Sequence, residues 1–348
     1  IKYPFENGLS DLPRDDNFEC LYHFIQNLIR KEKEVIASPR NLREWFYYTF
    51  GSGISDKYLL PYNEKIWKFP IESMSLEWVE RIPNPPVEDI IRSSLGIDTE
   101  GYMHQLSFYY PRTGGIQALI ESLRNKIEGN IVTGFEATIV KKEDNKWIVS
   151  NGQEEKLYDK IISTIPIHAL VDALDPPEEI RIAAKGLRYN SLISVMIGID
   201  KPKINDLTWL YIPDEDVITH RVSFPSNYSP NVAPEGKSSI LAEITCNIGD
   251  RSWRMDDRII AQRVIDDLHR LKIINMDDVC ISEVRRLKYA YIISDLDYQK
   301  NMTKVKRYTQ RIGIDLLGRF SEFKYLNMDN CIRSVLSYLA RLDMDHEG

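Results

Sequence analysis

Cysteine is scarce in these 348 residues: Cys20, Cys246, Cys280 and Cys331 lie far apart, with no C-x-x-C spacing. That excludes a disulfide framework and a thiolate zinc site, and it fits reduced, buried thiols in a cytoplasmic protein. Long apolar runs are missing as well; none approaches the ~18 residues of a membrane span, so no membrane partner is expected. No signal-peptide pattern opens the chain, and the glycosylation sequons at Asn227 and Asn301 read as accidental. Excess positive charge is also lacking. The 45 Lys and Arg against 52 Asp and Glu leave a net −7, which argues against a nucleic-acid partner because phosphate neutralisation needs a basic surface. The six histidines are scattered, with no metal-ligand cluster and no Ser–His–Asp set, and each reads as structural or exposed. A Gly-x-Gly-x-x-Gly turn is absent too. Its nearest match, Gly51-Ser52-Gly53-Ile54-Ser55-Asp56, lacks the third glycine and follows a helical pattern instead of a strand.

What remains is the composition of a folded globular chain, 43% hydrophobic and 28% charged, long enough for two or three domains. Nineteen tyrosines and six tryptophans supply rings that stack and polar groups that hydrogen-bond. Asp16 and Glu19 have a capping-box spacing, and Phe18, Leu21, Tyr22, Ile25, Leu28 and Ile29 follow at helical spacing. A second helix is expected around 42–50, and the prolines of 82–87 mark a connector. Short strands are expected at 131–133, 138–140 and 147–150, with turns at Glu143-Asp144-Asn145 and Asn151-Gly152. Further strands fall at 160–164, 192–199, 209–212, 239–244 and 279–287. An amphipathic helix carries Ile259, Ile260, Val264, Leu268 and Leu271, and a last helix carries Ile332, Val335, Leu336 and Leu339.

Five segments then stand out. They are Tyr3-Pro4-Phe5-Glu6-Asn7; Gly51-Ser52-Gly53-Ile54 with Pro61 to Trp67 and Glu80-Arg81; and Tyr110-Pro111-Arg112-Thr113-Gly114-Gly115. The fourth joins Trp209 to Pro213 with Arg221 and Ser226 to Pro230. The fifth joins Tyr289-Ala290-Tyr291 with Gly318-Arg319-Phe320 and Tyr325 to Asp329. Any one Tyr or Trp among them is core more often than ligand wall. Together and in this order they resemble the UDP-galactopyranose mutases, particularly the eukaryotic type, within the FAD-dependent amine oxidase and protoporphyrinogen oxidase-like superfamily. The resemblance covers nearly the whole chain.

It implies a mixed α/β fold. A mainly helical substrate domain (1–100) and a connection with a helix (101–130) would lead into the rear of an incomplete Rossmann-like FAD-binding domain (131–170). An antiparallel β-sheet substrate domain (171–310) and a C-terminal return to the FAD domain (311–348) would follow. The start at Ile1 reads as a truncation that removes the Gly-rich unit and leaves the piece inactive. The cofactor implied is reduced FAD, whose N5 attacks the anomeric carbon of a nucleotide sugar such as UDP-galactose and interconverts pyranose and furanose forms. NAD(P)H or another reductant, and a homo-oligomer, are the other implied partners. Tyr3 and Phe5 would sandwich the base, Asn63 and Trp67 would approach the sugar, and Arg81, Arg221, Tyr211, Tyr228, Tyr291 and Tyr325 would bind the diphosphate. Gly318, Arg319, Asn327, Met328 and Asp329 would meet the flavin, where backbone N–H groups favour electron-rich oxygen. Two positions depart from the family. Glu6 stands where Gln is usual beside the uracil, and Gln105 stands near an Asn position by the sugar. An FAD-dependent amine oxidase or protoporphyrinogen oxidase-like enzyme, and an inert fragment that binds a nucleotide sugar, are the alternative readings.

Overall fold

The computed structural model describes residues 4–99, 108–127, 129 and 131–346, with side chains as far as Leu342. Helix α1 (Arg14–Glu32) starts behind Pro13, not at the Asp16/Glu19 spacing. A proline caps a helix start well because its fixed φ suits the turn and its missing N–H is not needed there. Asp16 and Glu19 instead hold Lys57, each at 2.8 Å. Helix α2 (Leu42–Ile54) is capped by the Asn41 side chain, which accepts from Glu44 N at 2.9 Å. A π-turn (Ser55–Leu59), α3 (Leu60–Trp67), a 3-10 turn (Leu76–Arg81), α4 (Val87–Ser94) and α5 (Gln117–Arg124) follow.

The remaining elements are β1 (Ile139–Glu143), β2 (Lys146–Ser150), β3 (Glu155–Tyr158), β4 (Ile161–Ser163), α6 (Ile167–Leu174), α7 (Glu178–Lys185), β5 (Arg188–Tyr189) and β6 (Ser191–Ile199). They continue with β7 (Trp209–Tyr211), β8 (Arg221–Ser223), β9 (Ser238–Cys246), α8 (Arg251–Arg254), α9 (Asp257–Arg270) and β10 (Val279–Leu287). The chain ends with β11 (Ile292–Ile293), α10 (Tyr298–Ile312), β12 (Ile314–Leu316) and α11 (Met328–His346). The architecture is mixed α/β. The strand expected at 131–133 does not form; Ile131 and Val132 are exposed, and a single extended run without a paired neighbour has no ladder to hold it. Cys20 and Cys246 are buried free thiols, whereas Cys280 is exposed and Cys331 half-buried. Among the described residues, no helix is long and apolar enough to cross a membrane.

Two units divide the chain. The first is Ile1–Ile127 with Asn190–Lys288, the second Glu128–Tyr189 with Tyr289–Gly348. Residues 171–189 and 289–310, expected with the substrate sheet, fall in the second unit. The reason is that Ile180, Ala183, Ala184, Tyr298, Met302 and Val305 enter one core with Val140, Ile167 and Ile314. In that unit β12 pairs parallel with β4, and β1, β2 and β3 form an antiparallel sheet. In the first unit, strand order β10-β6-β9-β8-β7 makes a five-stranded antiparallel sheet. Val195, Ile197, Val222 and Ala242 pack from one face of it on Ile260, Val264 and Leu268 of α9. Strand alternation sends Tyr211, Arg221, Glu243 and Ser194 to the opposite face.

The sequence Gly51-Ser52-Gly53 has a packing role. A Cβ at Gly53 would lie 2.7 Å from Cys20 Cα, and one at Gly51 (φ +73°) would lie 2.6 Å from the His23 carbonyl oxygen. These glycines let α2 approach the α1 backbone. Gly53→Ala is expected to destabilise the protein by about 1–3 kcal/mol through overpacking, and Gly51→Ala by more, since it adds backbone strain. Urea unfolding of the two variants checks both the loss and its ranking.

Candidate functional site

Helix α3 is anchored at its C-terminal end, where helix carbonyls have no partner of their own. Thr245 Oγ1 donates to Lys65 O (2.9 Å), Asn190 Nδ2 to Ile66 O and Trp67 O (2.8 and 3.1 Å), and Asn247 Nδ2 to Lys68 O (3.2 Å). The Lys65 ammonium turns inward and donates to Ile212 O (2.9 Å) and Asp214 O (2.7 Å), and burial pushes its pKa down to about 8. Within α3, Asn63 donates to Leu59 O at 2.7 Å and accepts from Trp67 Nε1 at 2.9 Å. Trp67 is 1% exposed and meets Trp78 edge-on. Asn63 and Trp67 thus brace each other inside the first unit.

From the same helix a line of rings runs to the sheet. Phe5 stacks on Tyr58 (centroids 4.6 Å, planes 4° apart), Tyr58 on Tyr62 (5.6 Å, 8°), and Tyr62 meets Tyr211 edge-on at 5.2 Å. Tyr211 faces Arg221 across β7–β8, and Arg221 faces Glu243 across β8–β9. The Arg221 Nε donates to the buried Glu243 carboxylate in a short ion pair. Tyr228 lies beside this row. Its ring contacts Phe108 (5.2 Å) and Tyr110 (5.4 Å), its hydroxyl donates to Thr208 O at 3.2 Å, and burial raises its pKa despite the nearby Arg221.

Glu6 belongs to the 3-10 turn Phe5–Asn7 and is 2% exposed. Burial pushes its carboxyl up to about 7, opposed in part by a hydrogen bond from its own backbone. In the adjacent Asn7, both polar side-chain atoms are buried without a hydrogen-bond partner. Arg81 is half-buried at the end of the Leu76–Arg81 turn. Tyr3 and Gln105 lie outside the described residues.

The second unit brings together Tyr291, Tyr325 and Arg319. The two tyrosine rings stack at 6.2 Å, and the Arg319 guanidinium sits 4.2 Å from the Tyr325 centroid while donating to Leu326 O (3.2 Å) and Ala290 O (2.9 Å). Arg319 Nε, Ser163 Oγ and Ser321 Oγ are buried without partners. Ser163 ends β4, and its carbonyl accepts from Leu317 N (2.9 Å) just past β12. Gly318 follows at φ +88° with open space where a side chain would be, and Asn327, Met328 and Asp329 lie at the start of α11. The carboxyl ends of parallel strands are where open α/β sheets hold ligands, and orphaned buried polar atoms there suit a polar cofactor such as FAD.

Sequence reasoning missed Tyr58, Glu243 and Lys65 as parts of this arrangement. The i, i+4 spacing of Tyr58 and Tyr62 was one available signal. A carboxylate inside the apolar run of β9 was another.

The structure resembles several flavoenzymes. A crystal structure of reduced UDP-galactopyranose mutase matches at 25% identity and TM-score 0.84, over 94% of this chain and 72% of that one. A putative protoporphyrinogen oxidase from Exiguobacterium sp. 255-15 matches at 16% identity and TM-score 0.68, over 93% and 72%. Putrescine oxidase bound to putrescine matches at 10% identity and TM-score 0.59, over 99% and 76%. The last two likenesses show the fold alone. The model of the flavin containing amine oxidoreductases matches residues 78–307. With that match spanning more than half of its length, the chain belongs to the flavin containing amine oxidoreductase family, and its cofactor is FAD.

Proposed function

We propose that the protein is a mutase that interconverts the pyranose and furanose forms of a nucleotide sugar, with a UDP-galactose type of substrate. The observation that carries this reading is the row Tyr211–Arg221–Glu243 at the end of the ring series from Phe5. A planar base suits stacked rings, and a diphosphate suits an oriented guanidinium with phenol hydroxyls beside it. An amine or porphyrin substrate carries no diphosphate for such a row to hold.

Reduced FAD supplies the nucleophile for the anomeric carbon, with NAD(P)H or another donor as reductant. The residues of the chain do the positioning. Glu243 holds Arg221 by Nε and so fixes the guanidinium plane. Arg221, assisted by Tyr211 and Tyr228, stabilises the charge that develops on the leaving diphosphate and keeps it in place for recapture. Arg81, Tyr291 and Tyr325 offer further groups suited to phosphate oxygens. Gly318, Arg319, Asn327, Met328 and Asp329 are proposed to hold the flavin. Phe5 and Glu6 read the base, with Tyr3 as the proposed second ring, while Asn63, Trp67 and Gln105 remain proposed for the sugar side.

Glu6 makes base recognition depend on pH. A neutral carboxyl has a carbonyl to accept from an imide N–H and an O–H to donate to a base carbonyl, as an amide does; a carboxylate only accepts. With its carboxyl raised to about 7 by burial, Glu6 is in the donating form below that pH. UDP affinity should therefore fall as pH rises through 7, while Glu6→Gln should flatten this part of the profile. Titrations of UDP at several pH values decide, and parallel profiles for the two proteins would remove Glu6 from the base site. Arg221→Ala should weaken UDP binding by roughly 2–3 kcal/mol, the cost of a lost charge-assisted contact. Calorimetry on the same variants measures it.

Reaction class separates by one comparison. After dithionite reduction the flavin-loaded enzyme should isomerise UDP-galactopyranose with no stoichiometric oxygen uptake. Oxygen consumed in proportion to an oxidised amine or porphyrinogen, without isomerisation, would place the protein among the oxidases.

A further inference from the structure

Helix α10 carries five basic residues and no acidic one, in a chain of net charge −7. Its inward face is Tyr298, Met302, Val305 and Thr309, all buried within the second unit. At about 100° per residue and 1.5 Å of rise, Lys300, Lys304, Arg307 and Arg311 fall in one row on the opposite side, roughly 16 Å long. All four are exposed.

Local structure does not account for the row. A helix favours cations at its C-terminal end, which suits Arg311, but Lys300 stands in the first turn, where the dipole opposes it. Neighbours three and four positions apart repel: Lys300 and Lys304, Lys304 and Arg307, Arg307 and Arg311. Helices α4, α5, α7 and α9 instead pair an arginine with an acid at those spacings. Among the described residues, the row has one ion pair, Lys300 with Asp297 at 3.9 Å, and both partners are 70% exposed.

Three kinds of polyanion can neutralise such a row, and the helix suits one of them. An anionic membrane is wide and flat, so it would meet the excess negative charge of the surrounding surface along with the row. Binding there also draws on buried apolar area, and no large apolar side chain of α10 is exposed. Single-stranded nucleic acid stacks its bases on open rings, whereas Tyr308 is half-buried with Arg311 over it at 5.5 Å. A narrow acidic segment of a protein touches the row alone. A helix bearing carboxylates at the same 4-3-4 spacing faces each cation with one acid, and the spacing reads the same in both directions.

We propose that the outer face of α10 is a docking surface for an acidic protein partner, which lays a row of carboxylates along Lys300, Lys304, Arg307 and Arg311. With no apolar anchor, the contact is transient and steered by charge. The inference does not rest on the substrate assignment, since it uses none of the proposed ligand-binding residues.

Fluorescence anisotropy tests it, with the chain titrated at low salt into a labelled helical peptide that bears a row of glutamates at 4-3-4 spacing. Saturable binding is expected, weakening as salt is added because the row is exposed. A peptide of the same composition with its glutamates scattered around the helix should bind more weakly. Lys304→Glu and Arg307→Glu should each weaken binding about tenfold or more. Their melting temperatures should match or exceed that of the parent, because each substitution turns repelling neighbours into pairs; loss of docking is thereby separated from loss of fold. Lysine in place of the peptide's second glutamate (parallel docking) or third (antiparallel) should recover binding to the Lys304→Glu variant. The proposal is overturned by absence of saturable binding, by equal binding of the two glutamate peptides, or by indifference to both substitutions. Tighter binding to phosphatidylserine vesicles or to an oligothymidine strand than to the peptide would overturn it as well.

Discussion

The buried ammonium of Lys65 ties the first unit together. It is buried and meets two main-chain carbonyls, Ile212 O and Asp214 O, with no carboxylate among the described residues in hydrogen-bonding contact. Desolvating a cation is expensive, and only well-aligned acceptors offset it. Because both acceptors lie just past β7, the geometry that keeps the ammonium satisfied also fixes α3 against the sheet. Tyr58 and Tyr62 inherit their positions from that docking, and the ring series ends at Tyr211 because β7 is held there. The anchor is therefore electrostatic in origin, although what it positions is a set of aromatic faces.

A second constraint follows from the net charge of −7. A molecule of that sign draws no anion by its overall field, so in the proposed function the attraction for a diphosphate would have to be local. Arg221 would provide it from a half-buried row, where screening by water is weaker than at the surface. Glu243 lowers the net charge of the row but removes the freedom of the guanidinium, which favours orientation over raw attraction. Burial of this partner also means that loss of the arginine leaves a carboxylate without its cation, so part of any effect at that position is structural.

Much of the fold was legible. The long strands β6 and β9 announce themselves by apolar runs because most residues in them are buried, and α9 by its 3.6-residue period because it buries one face; β10 was readable although most of its residues are exposed. The hairpin between β1 and β2 was readable from Asp144-Asn145, both at positive φ. Less visible were α6, α7 and α10, whose apolar faces are short, and β5 and β11, two residues each, which depend wholly on a partner distant in sequence. In the candidate site, Arg221 and the tyrosines stood out by motif. Glu243 and Lys65 did not, because a buried charge is recognisable only once its neighbours are known.

The pairing of β12 with β4 has a consequence for how the chain assembles. β4 ends at Ser163 and its parallel partner begins at Ile314, with the second segment of the other unit, Asn190–Lys288, between them in the chain. A ribosome adding ~5–20 residues per second takes roughly 8–30 s to cross that interval. Throughout it the edge of β4 is without its strand, and the apolar faces of α6 and α7 wait for α10. The nascent segment from 128 to 189 is thus the stretch where a holding chaperone would gain most, and where slow translation would be least forgiving.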